Sequence, residues 1–187
     1  MEMRSNKAIK EKLDAIKHDL PDDWPKWTAE EWNNRALMNF DGPPKLVRLD
    51  PNDKKKIYRV INSEDGINGT WWSFDKPPES EDIWRSEMAV RNDFSGGGAF
   101  VEVEIPPPEY MLVGKAGPQR SEYDPNKALP GGGIQIYLPQ SNYPEPSIPN
   151  IQKRVQDAGG FHYTPWNAEA KAIKGVRGGS KIDECDK

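Results

Sequence analysis

The chain has 187 residues, of which 35% are hydrophobic, 30% charged and 10% aromatic, with a formal net charge of −4. Seven tryptophans, six tyrosines and five phenylalanines supply large apolar surfaces that a disordered chain lacks, so length and composition fit one aromatic-rich core with a short appended unit. The acidic balance gives no general pull toward phosphate backbones, and Lys54-Lys55-Lys56 is too short a basic run to serve one, which excludes nucleic acid as an expected partner.

Helical spacing of Ile9, Leu13, Ile16 and Leu20, after Ser5 or Asn6 as a cap and before the stop at Pro21, predicts an amphipathic helix over 6–20. Thr28-Ala29-Glu30-Glu31 has the form of a capping box, and Trp27 and Trp32 stand where a hydrophobic staple places its partners, predicting a second helix over 29–38. Gly42-Pro43-Pro44 closes this prefix, residues 1–44.

The pattern then changes to short β-prone runs, Leu46-Val47-Arg48-Leu49, Ile57-Tyr58-Arg59-Val60-Ile61 and Thr70-Trp71-Trp72-Ser73-Phe74, separated by Asp, Asn, Pro and Gly. Ser80 caps one inserted helix over 81–91, with Glu81 and Asp82 complementing its dipole. Strict alternation over 99–105 puts Glu102 and Glu104 on one face of a strand and Val101, Val103 and Ile105 on the other. Two more strands follow, Tyr110-Met111-Leu112-Val113-Gly114 and Ile134-Gln135-Ile136-Tyr137-Leu138. The connection over 115–133 is long enough to read as a functional loop, with Gly131-Gly132-Gly133 as a flexible hinge. A short helix is expected from Ile151, a loop at Gly159-Gly160-Phe161-His162-Tyr163, and a marginal helix with a frayed tail over 168–187. The expected fold is α+β, a β-rich core over 45–167 of short strands with one inserted helix, behind a two-helix prefix.

Two histidines and one cysteine, Cys185 in the terminal segment, give no zinc spacing and no internal disulfide. There is no Gly-x-Ser-x-Gly, and both glycine triplets lack the Gly-Lys-Ser/Thr ending and lead into strands, so nucleophile-elbow, Walker and Rossmann readings fail. No apolar run reaches the ~20 residues that span a bilayer and no leader pattern opens the chain, so neither membrane binding nor a signal of its own is expected. What stands out is Arg59 in mid-strand. An arginine among Tyr58, Val60 and Ile61 needs a partner or an anion if it points inward, and is ordinary if it faces water.

The order Tyr58-Arg59-Val60, Gly69-Thr70-Trp71-Trp72-Ser73, Pro77-Pro78 leading to Trp84-Arg85, Ile105-Pro106, Val113-Gly114-Lys115-Ala116-Gly117-Pro118-Gln119 and Pro130-Gly131-Gly132-Gly133-Ile134-Gln135-Ile136 resembles toxin domains at the C-termini of bacterial polymorphic and contact-dependent effectors, in their ADP-ribosyltransferase-like branch. Within it, Gly114-Lys115-Ala116-Gly117-Pro118 and Pro130-Gly131-Gly132-Gly133-Ile134-Gln135 are similar to the Gly-x-Ala-x-Pro and Pro-Gly-Gly-Gly-x-Gln block of the tuberculosis-necrotizing-toxin family, whose members hydrolyse NAD to nicotinamide and ADP-ribose. The prefix lies outside the resemblance.

The resemblance implies an ADP-ribosyltransferase-like core and an NAD glycohydrolase, with NAD as substrate, no cofactor and no metal. Arg59 then holds the NAD phosphates or ribose, with Arg85 as a second phosphate contact. Trp72 stacks on a ring of NAD, Trp71 and Trp84 add aromatic wall, and Ser73 gives a polar contact. Gln135 meets the nicotinamide ribose and positions water. It also implies a monomer with a cognate immunity protein, secreted or delivered within a larger effector and acting in the target-cell cytoplasm. One alternative is a mono-ADP-ribosyltransferase using Glu102, Glu104 or Glu122. Another is a non-enzymatic binding module built on exposed tryptophans.

Overall fold

A computed structural model describes residues 2–50, 52, 54–90, 98–105, 110–120, 128–140 and 145–167. The tail over 168–187, with Cys185, lies outside these residues, as do Pro106 and Glu122.

Helix α1 (Glu2–Asp14) starts ahead of the expected cap at Ser5 or Asn6 and stops earlier than its periodicity predicts, and the chain turns over through Ile16 N to Leu13 O and Asp19 N to Ile16 O bonds, both 3.1 Å. Burial decides this: the turn drives Ile16 to 1% exposure against Trp24, Trp32 and Leu37. Helix α2 (Ala29–Arg35) begins at the expected capping box, with Thr28 N donating to Glu31 Oε2 at 2.8 Å and Glu31 N to Thr28 Oγ1 at 3.2 Å. The Trp27–Trp32 staple closes edge-to-face at 4.7 Å. In place of a last α-turn, Leu37–Asn39 form a 3-10 helix.

Strands β1 (Lys45–Arg48), β2 (Lys56–Ile61), β3 (Trp71–Trp72), β4 (Ala99–Glu104), β5 (Tyr110–Lys115), β6 (Gln119–Arg120), β7 (Ala128–Leu129), β8 (Ile134–Tyr137) and β9 (Phe161–Tyr163) are joined by helices α3 (Glu81–Met88) and α4 (Ile151–Asp157). The architecture is α+β. One antiparallel sheet has the order β1-β5-β8-β3 and a second β2-β4-β9, while β6 and β7 pair antiparallel within the 115–133 connection expected to be a functional loop. The segment at His162, expected as a loop, is strand β9, paired with β4 from Ala99–Tyr163 to Val101–Phe161.

Alternation places the main core between the sheets: Ile57 and Ile61 of β2 and Val101 and Val103 of β4 meet Met111 of β5, Ile136 of β8 and Trp72 of β3. The opposite face of the four-stranded sheet, with Leu112, Tyr137 and Trp71, is covered by the prefix through Leu37, Phe40 and Trp32. Prefix and sheet therefore share one apolar cluster. The two sheets meet at a corner where β2 and the end of β3 exchange Tyr58 N to Ser73 O (2.8 Å) and Ser73 N to Tyr58 O (2.9 Å).

Candidate functional site

Beside that corner lies a cleft of about 640 Å³, within the usual size of small-molecule sites. Strands β2 and β3 form one wall, the C-terminal end of α3 another, and Asn39, Gly117, Gly133 and Gln135 the third. Six of the seven residues singled out from the sequence line it: Arg59, Trp71, Trp72, Ser73, Trp84 and Gln135.

Arg59 shares its parity with Ile57 and Ile61, so it projects from the core face of β2 and not from the solvent face. Its Nε donates to Gly66 O at 2.6 Å and its Nη1 to Trp71 O at 2.7 Å. Gly69 leaves the room: a Cβ there would stand 2.2 Å from both Cζ and Nη2. Among the described residues no carboxylate pairs with this guanidinium, and burial lowers its pKa to about 10, which leaves it charged at neutral pH. A desolvated cation held by carbonyls on a cleft wall is a ready-made anion contact.

Gln135 is 7% exposed and points to the prefix side of the sheet, as Tyr137 does. Its Nε2 donates 2.7 Å to Asn39 O, which also accepts Gly117 N at 2.8 Å, while Asn39 Oδ1 accepts Gln119 Nε2 at 3.3 Å. Asn39 thus ties three wall residues, and sequence reasoning does not reach it, because a backbone carbonyl leaves no mark in residue type. With its nitrogen committed, Gln135 has Oε1 to offer to the cleft.

The glycine triplet is a strut and not a flexible hinge. Gly131 N donates to Ser86 O and Gly133 N to Glu87 O, each at 2.9 Å, taking carbonyls that the end of α3 leaves open. Gly132 N donates to Ala116 O at 2.9 Å and Ala116 N to Gly133 O at 2.7 Å, so α3 and the end of β5 are joined through it. Gly131 has φ +72°, and a Cβ there would fall 2.3 Å from Ala116 O.

The aromatic assignments change. Trp72 is 2% exposed, with Nε1 on Gly69 O at 3.1 Å, and belongs to the core; the half-buried indole is Trp71, against Phe40 (5.4 Å) and Tyr137 (4.7 Å). Both indoles border the cleft, and Trp71 is the more exposed of the two. Trp84 is 9% exposed and stacks on Trp166 at 5.4 Å. Ser73 Oγ accepts Asp75 N at 3.2 Å and keeps its proton to donate. Arg85 does not line the cleft: Glu81, one turn earlier on α3, takes its Nε at 2.9 Å and its Nη2 at 2.8 Å. The Glu81–Arg85 spacing, an i,i+4 pair, carries this in the sequence.

Glu102 pairs with Lys56 at 3.1 Å and lies opposite Tyr58, a cleft-lining residue of β2, while Glu104 is exposed; neither carboxylate is itself on the cleft lining. The acidic residues on its walls are Asp75 and Glu87, both exposed. No group of three or more potential ligands for a metal ion occurs among the described residues, and no described helix is long and apolar enough to cross a membrane.

No protein-family model matches the chain, and no curated protein matches it in sequence. Among solved structures it is similar in part to Tne2 in complex with Tni2, at 15% identity and a TM-score of 0.46 over 65% of this chain and 92% of that one. It is also similar to Rhs1-CT in complex with the cognate immunity protein RhsI1, at 18% identity and a TM-score of 0.40 over 60% of this chain and 81% of that one. For Tse6 in complex with Tsi6 the values are 18% and 0.37, over 72% and 88%. At these scores the likeness is partial.

Proposed function

We propose that this chain is an effector toxin domain that cleaves NAD to nicotinamide and ADP-ribose. The observation that carries the reading is the half-buried Arg59, without a carboxylate partner among the described residues, on the wall of the cleft that also holds the carboxamide of Gln135. Breaking the N-glycosidic bond builds positive charge on the ribose as neutral nicotinamide leaves. Arg59 would anchor the pyrophosphate with the donors left free by Gly66 and Trp71, and Trp71 would flank a ring. Gln135 Oε1 would accept from a ribose hydroxyl and hold it as the bond opens, and water completes the hydrolysis. The motif order over 58–135 that resembles ADP-ribosyltransferase-like toxins supports the same reading, and with it a cognate immunity protein as partner and delivery within a larger effector.

A transferase needs a carboxylate at the oxocarbenium. Glu102 and Glu104 do not line the cleft, Glu122 lies outside the described residues, and the carboxylates that do line it, Asp75 and Glu87, are exposed. Purified protein incubated with NAD alone, with products resolved by chromatography, tests the proposal: nicotinamide and ADP-ribose should accumulate in equal amounts without a protein acceptor. Turnover only when an acceptor is added would make it a transferase, and no turnover in either case would leave a binding module.

A further inference from the structure

We propose that Lys12, in the prefix, is a positioning residue for Gln135: its ammonium fixes the Asn39 carbonyl that holds the carboxamide with Oε1 toward the cleft. The inference rests on the reading of Gln135 as the ribose contact. Lys12 reaches across 25 and 28 residues to donate from Nζ to Leu37 O at 3.0 Å and Phe40 O at 2.8 Å. Those carbonyls flank Asn39, the last residue of the three-residue 3-10 helix. Leu37 O also accepts Phe40 N at 3.2 Å, and Lys12 adds a charged donor on either side of Asn39 in a turn whose bond geometry is poorer than that of an α-helix. Burial pushes the Lys12 pKa down while Asp41 opposes the shift, so the ammonium is partly desolvated where it acts.

The consequence for Gln135 follows from the two unlike ends of a carboxamide. An acceptor at Asn39 O, 2.7 Å from Nε2, selects the orientation with nitrogen inward and oxygen outward. Gly117 N takes the same carbonyl at 2.8 Å, so its place is fixed from the β5 side as well as from the prefix. If the 3-10 turn loosens, the carboxamide loses its reason to prefer one orientation, and the flipped form presents a donor pair to the ribose. Arg59 belongs to a different element and keeps its bonds, so substrate binding should persist while the chemical step slows.

The test uses the full chain. In Lys12→Met, kcat for NAD cleavage should fall about tenfold or more with KM within about twofold, and Lys12→Arg, which restores a cationic donor, should recover most of the loss. A second readout is independent of turnover: hydrogen exchange of the Gln135 side-chain amide by NMR, its resonances assigned by their absence in Gln135→Glu. Exchange should be slowed in the wild type relative to an exposed glutamine. In Lys12→Met it should speed up about tenfold while backbone amides of β5 and β8 stay protected. Should Lys12→Met not fold, the wild-type exchange rate decides. An unprotected Gln135 amide, or one unchanged by Lys12→Met, overturns the proposal even if NAD is cleaved. Protection lost on substitution in a protein that does not cleave NAD upholds the positioning role and overturns the activity.

Discussion

Gly69→Ala adds one methyl group that can act on the cleft only through Arg59. At φ −68° and ψ 169°, Gly69 has a backbone that alanine adopts without strain. The new Cβ would lie 2.2 Å from Cζ and Nη2 and 2.4 Å from Nε, well inside the ~3.5 Å that non-bonded carbon contact requires. The guanidinium must retreat by about 1 Å or more, beyond which the 2.6 Å and 2.7 Å bonds to Gly66 O and Trp71 O no longer hold. Hydrogen bonds to a charged group are worth about 1.5–3 kcal/mol each, and rehydration of the displaced guanidinium returns part, so a loss of about 2–4 kcal/mol in unfolding free energy is expected. Urea denaturation measures it, and the KM for NAD should rise about tenfold or more in parallel. The same substitution in an Arg59→Met background should cost far less, giving a coupling energy above about 1 kcal/mol. Equal losses in both backgrounds would refute the argument, because the methyl would then be acting elsewhere.

Gln135→Glu removes the donor to Asn39 O, and a carboxyl can replace it only when protonated. The folded-state pKa of the new acid is thus raised above its unfolded value. The destabilisation, about 1–3 kcal/mol at neutral pH, should shrink as pH falls toward about 4, which thermal melts across pH would detect. A pH-independent loss would speak against the contact. Trp72→Ala should cost about 3–5 kcal/mol as a core truncation, whereas Trp71→Leu should spare most of the stability and raise KM; chemical denaturation and NAD kinetics on the two variants separate the indoles. Because burial lowers the Arg59 pKa only to about 10, its charge is constant at neutral pH, and KM should stay flat from about pH 6 to about pH 9 before rising at higher pH. A rise below pH 9 that disappears in Arg59→Met would contradict that.

The starts of α2 and α3 were legible because they are local chemistry, whereas α1 begins ahead of its expected cap at Ser5 or Asn6. Thr28 with Glu31 and Ser80 ahead of Ile83 each satisfy open N–H groups within four residues, and the structure caps both helices there. Strand β4 was legible because a half-buried strand must alternate, whereas β9 is three residues behind two glycines and owes its pairing to β4. Within the site, Arg59 announced itself as a charge where the pattern called for an apolar side chain. The tandem tryptophans did not: alternation says that Trp71 and Trp72 face opposite ways, but only the placement of the second sheet decides which one enters the core. The hold of Asn39 on Gln135 could not be read from residue type, since it is made by the main-chain oxygen.

The corner between the two sheets carries one more implication. Arg59 grows from β2 and grips the carbonyl of Trp71 on β3, so it reinforces the same seam that the Tyr58–Ser73 exchange closes. Any anion that occupies its remaining donors pulls on that weld as well as filling the cleft. Ligand occupancy should therefore register as a higher melting temperature even for a non-cleavable dinucleotide, which turns a thermal scan of candidate ligands into a search for the natural substrate that needs no turnover.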